Sequence, residues 1–248
     1  MIGGVLAVIA TVRRGKPVHP TGVVYDARLL VSGSDEAPRG ARLLCERAEH
    51  QAVVRFSRAL GLPRPVPDLL GVSIRVLEPY GPGRHQDFLL VTSVDRAILH
   101  HLFVPAADVQ QRPYSSSLAY RAGNERFLIG LLPDERSPRP HGRDEFERLD
   151  AAAATGRLVF GLAVADVGGR FRPVAELRIG RRLAGELDAL RFNPWNTGRD
   201  LEPAGWLNGA RYRAYKLSQT GWRQKRADGE RRQRAAEHEL DRVSGARG

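Results

Sequence analysis

The 248-residue sequence is short of cysteine, lysine and long apolar runs. Its one cysteine, Cys45, excludes an internal disulfide framework and any multi-cysteine metal site, and it agrees with a reducing, cytoplasmic setting. The longest apolar run near the start, IGGVLAVIA, falls well short of the roughly 20 residues that cross a bilayer. No basic segment or small-residue cleavage site accompanies it, so the expectation is a soluble chain without a membrane span. Of 39 basic residues only Lys16, Lys216 and Lys225 are lysine, and the arginines are scattered along the whole length. The net charge of +11 therefore lacks the clustering that phosphate binding uses, and no zinc-finger, RNP or glycine-rich phosphate signature is present. Specific nucleic-acid binding is not expected. The absence of a G-x-S-x-G turn argues against a Ser-His-Asp hydrolase.

What the chain does have is alternation. Eight runs show β-branched, period-2 character bounded by Gly, Pro and Asp: residues 21–31, 51–57, 71–77, 87–93, 126–132, 157–167, 170–180 and 185–192. Gly168 and Gly169 mark a hairpin between the sixth and seventh. Residues 93–123 read as helix and loop, and DERSPRPHGRDE as a polar connection. After Phe192 the period changes, and PAGWLNGARYRAYKLSQTGWRQ reads as one helix. The predicted fold is α+β: an antiparallel eight-stranded β-barrel with flanking helices and a C-terminal helix over 1–223. A basic tail, 224–248, mixes both signs without aromatics and is expected to be solvated or frayed. Within the C-terminal helix, Arg211 lies one turn before Tyr215 on the same face. Taken alone, this pair is equally an ordinary amphipathic helix face with a half-buried phenol.

Three stretches in order resemble the haem catalase superfamily, and more closely its short bacterial catalase-like members, the catalase-related peroxidases. KPVHPTG resembles the family's R-V-V-H-A-K-G, with His19 in the place of its distal histidine. VVRFSRALG followed by DLLGVSIRV resembles its V-R-F-S strand and continuation, and FNPWN with PAGWLNGARYRAY resembles its proximal segment. The resemblance spans residues 16 to 223. It implies haem b as cofactor, with Tyr215 as axial ligand of the haem iron and Arg211 beside it. It further implies His19 as proton shuttle, Arg55 and Lys16 as partners of the propionates, and Ser57 as part of the haem pocket.

These roles have physical grounds. Tyrosine is a known axial ligand of ferric haem, and a guanidinium one turn away favours the phenolate it must become. A near-neutral histidine can move a proton between the two oxygens of a peroxide. The family's distal asparagine has no counterpart in DFLLVTS, where Thr92 is the nearest polar substitute. Loss of that amide donor implies weaker peroxide positioning. The expected function is therefore a haem-dependent peroxidase or weak catalase acting on hydrogen peroxide or organic hydroperoxides, with homo-oligomers allowed. The competing expectation is a catalase-fold barrel without haem that binds an apolar ligand.

Overall fold

The computed structural model describes residues 21–96, 99, 102–117, 119–166, 168–183, 190–198, 200–204 and 235–240. Ten strands occur in these: β1 (Thr21–Val31), β2 (Ala48–Arg58), β3 (Leu70–Val76), β4 (Gln86–Thr92), β5 (Tyr114–Ser115), β6 (Tyr120–Ala122), β7 (Glu125–Pro133), β8 (Val159–Asp166), β9 (Arg172–Leu183) and β10 (Glu202–Pro203). Helices α1 (Arg42–Cys45) and α2 (Glu145–Ala154) flank them.

Antiparallel pairing runs β5-β4-β3-β2-β1-β9-β8-β7, and β7 pairs back onto β5, so the sheet closes into an eight-stranded barrel. Strands β6 and β10 extend the sheet outside the ring. Seven of the eight expected strands coincide with β1 to β4 and β7 to β9. The eighth does not. Its place in the ring is taken by Tyr114–Ser115, within the stretch read as helix and loop, whereas 190–192 are irregular and 184–189 lie outside the described residues. The expected C-terminal helix also lies largely outside them.

Alternation explains the inside of the barrel. On β1 the inward positions are Val23, Tyr25, Ala27, Leu29 and Val31, and they join Val54, Phe56, Ile74, Phe88, Ile129 and Phe160 in one buried cluster. Tyr25 meets Phe56 edge-on with ring centroids 6.0 Å apart, and Phe56 meets Phe160 at 5.7 Å. The lumen is filled by side chains, so a ligand must sit outside it. Helix α2 starts at Asp144, whose carboxylate accepts from the N–H groups of Phe146 and Glu147, both at 2.9 Å. Its buried Phe146 and Leu149 join the same cluster, and its Asp150 accepts the hydroxyl of Tyr25. Burial, then that hydrogen bond, raise the Tyr25 phenol far above its ordinary pKa, so it stays neutral.

Within the tail expected to be solvated, residues 235–240 are helical, with Ala236 and Leu240 buried against the outer side of the barrel. That part of the tail is docked.

Candidate functional site: an outward-facing strip on β1 to β4

The strand registers place three rows of residues on the outer face of β1 to β4. One row is Gly22, Ser57, Gly71 and Val91; the next is Val24, Arg55, Ser73 and Leu89; the third is Asp26, Val53, Arg75 and Asp87. Residues between them, such as Phe56, Val72 and Leu90, point into the lumen.

The third row is covered. Arg75 and Asp87 form a buried two-pronged pair, Nε to Oδ1 and Nη2 to Oδ2 both at 2.7 Å. Arg75 also donates to the carbonyl of Arg191 at 2.9 Å and stacks over Phe192 at 5.4 Å, while Asp87 accepts the N–H of Asn193 at 2.8 Å. The FNPWN motif is thus strapped to the sheet. Around it, Val24, Val53, Leu77, Leu183, Leu190, Phe192, Ala236 and Leu240 make a second apolar cluster.

The first row is different. No side chain on it is larger than valine, and across four strands it makes a flat strip roughly 14 Å wide. Ser57 is buried and its hydroxyl donates to the carbonyl of Gly71 at 3.4 Å. A side-chain carbon on Gly22 would come within 2.8 Å of the Arg55 guanidinium and of the Phe56 carbonyl. The missing carbon is what lets the guanidinium lie down on the strip. The result is a flat strip of small side chains, buried at Ser57 and Gly71 and part-exposed at Gly22 and Val91, with the Arg55 guanidinium against its Gly22 end.

The sequence-derived residues divide accordingly. Arg55 and Ser57 come together on this face. Thr92 does not join them: it shares the parity of Phe88 and Leu90, it is buried, and its Oγ1 accepts the N–H of Leu70 at 3.2 Å. The β4 residue that faces the strip is Val91, which has no hydrogen-bonding group. Lys16, His19, Arg211 and Tyr215 lie outside the described residues. Sequence reasoning passed over Gly22 as a site residue. Its signal was a glycine at the start of an otherwise β-branched strand, which marks a close approach.

Asp68, which begins the DLLG motif, is a brace: it is buried and accepts from the N–H groups of Leu60 and Leu62, both at 3.0 Å. His50 is half-buried, in a crevice lined also by Tyr80, Arg84 and Asp200. Burial lowers the pKa of this histidine.

Among solved structures, a fungal catalase superposes with a TM-score of 0.58 at 13% identity, over 81% of this chain and 58% of that one. The fold is catalase-like. A bacterial catalase superposes with a TM-score of 0.56 at 12% identity, over 82% of this chain and 57% of that one. The chain spans just under three fifths of the length of the catalases it matches. No protein-family model matches the sequence, and no curated protein does. The catalase-like barrel is therefore a likeness of fold.

Proposed function

We propose that this catalase-like barrel holds haem b against the Gly22–Ser57–Gly71–Val91 strip and acts on peroxides as a peroxidase or weak catalase. The observation that supports it is the strip of small side chains with the Arg55 guanidinium against Gly22, a flatness and charge that suit the edge of a planar dicarboxylate ring. Bound haem would supply the iron at which the O–O bond of hydrogen peroxide or an organic hydroperoxide is cleaved.

The chain's own residues have separable tasks in this reading. Arg55 holds a propionate through a charge-assisted hydrogen bond, and Lys16 meets the other as a point charge. Tyr215 would hold the iron through its phenolate, which the Arg211 guanidinium would favour. His19 would accept a proton from the bound peroxide and return it, as a near-neutral imidazole can. Val91 offers the peroxide no donor, which favours peroxidase chemistry on bulkier, less polar hydroperoxides over rapid turnover of hydrogen peroxide.

Haemin titration of the full chain tests the reading. The expected result is a Soret band with high-spin ferric features, lost in Tyr215→Phe and weakened in Arg55→Met, with peroxide consumption abolished in His19→Ala. A chain that stays colourless with haemin overturns it, and leaves the strip to an apolar acid of another kind.

A further inference from the structure

The strand registers carry the row of small residues past Val91. Val91 pairs with Ser115 of β5, and Ser115 pairs with Gly130 of β7. The β4–β5 pairing also runs one residue beyond Thr92, where the Ser93 N–H donates to the Pro113 carbonyl at 2.9 Å. Ser93 therefore shares the outward parity of Val91. Both serines are fully buried. Among the described residues, the hydroxyl of Ser93 has no hydrogen-bond partner. The hydroxyl of Ser115 accepts the N–H of Ser117 at 3.0 Å, and its own proton goes to no acceptor among the described residues. Two buried donors thus flank Val91 with nothing to donate to.

Folded proteins leave few buried polar groups without partners, because each one keeps its full desolvation penalty. An alanine at position 93 would remove that penalty, so the fold is weaker for keeping the serine. A ligand that accepts from the hydroxyl removes the penalty in another way. Position narrows the ligand. The Arg55 guanidinium lies against Gly22, and Gly22 is four strand spacings, about 19 Å, from Ser115. An acid group at Arg55 is therefore remote from the two hydroxyls, which are left for a second molecule. Beyond Ser115 the row is closed, since a side-chain carbon on Gly130 would come within 2.5 Å of the Phe171 ring. Ser93 and Ser115 are diagonal neighbours across the β4–β5 pair, a relation that sets residues about 7–8 Å apart. Each hydroxyl reaches an acceptor at about 2.7–2.8 Å. Two neutral donors so spaced suit a small uncharged group with two adjacent acceptor oxygens.

We propose that Ser93 and Ser115 are the donors that hold the O–O group of a peroxide beside Val91, which has no donor of its own. This inference rests on the haem reading above, and its test separates the two. Fluoride, an acceptor that binds ferric haem iron, is the probe, used on the full chain loaded with haemin. Ser93→Ala should keep the resting Soret band and weaken fluoride binding about tenfold, the scale of one lost hydrogen bond to a charged acceptor. The KM for hydrogen peroxide should rise with it. In the haem-free chain, Ser93→Ala should unfold at the same or a higher urea concentration than wild type, an outcome that a hydroxyl serving only the fold would not give. Wild-type fluoride affinity in Ser93→Ala, with the Soret band intact, overturns this inference and leaves the haem reading standing. A lower urea midpoint in Ser93→Ala overturns it equally. A full chain that stays colourless with haemin overturns both.

Discussion

The hydroxyl of Thr92 accepts the buried N–H of Leu70, and its neighbour Val91 faces the strip. The two residues are adjacent, but they lie on opposite sides of the barrel wall. Thr92→Val keeps the shape and leaves that N–H without a partner, at a cost of about 1–3 kcal/mol. Urea denaturation should show the lower midpoint, while the haemin titration should match wild type. Thr92→Ser should restore most of the loss. A haem spectrum that changes in Thr92→Val with stability untouched would return Thr92 to the site. This distinction was not legible in DFLLVTS, because sliding a strand by one residue exchanges its two faces and only the register with β3 fixes which is which.

At the scale of elements, the strap formed by residues 191–196 is as integral to the outer sheet as a strand. Its hold is a buried ion pair, and removing one partner of such a pair costs about 3–5 kcal/mol, since the other charge is left without compensation. Asp87→Asn should therefore lower stability on that scale and also free the amide of Asn193. Hydrogen exchange at Asn193 and Asn196 should speed up relative to the barrel strands; exchange that stays uniformly slow would show that Phe192 and the apolar cluster hold the loop unaided. Long strands such as β1 and β9 were legible, because a filled lumen demands strict alternation. The two-residue β5 was not, since no period can be read from Tyr114 and Ser115 alone. Helix α2 opens with a clear capping signal at Asp144, but that signal is embedded in a charged, proline-bearing stretch that reads as loop.

For the whole molecule, the legible part was a closed antiparallel barrel, and the part that escaped was the surface: which outward residues are covered, and by what. Burial of His50 shows how the surface feeds back on stability. Its folded pKa lies below the ordinary value of about 6.5, so as pH falls through that value the unfolded chain takes up a proton that the folded chain refuses. Stability from this group is full above the ordinary value and declines below it, towards the lowered one. In urea midpoints measured between neutral and mildly acidic pH, His50→Gln should flatten that decline. An unchanged slope would assign it to other groups.

The strap also bears on time. The hydrogen bond from the Asn193 N–H to Asp87 joins positions 106 residues apart, and β1 must find β9 across a still longer stretch of chain before the ring can close. Such non-local pairing makes slow folders. The strip is exempt from that delay: β1 to β4 pair each with the next in sequence, so the register of Gly22, Ser57, Gly71 and Val91 is set by nearer pairings alone. The row of small residues can therefore be in place while the ring is still open, ahead of the strap that covers the row beside Asp87.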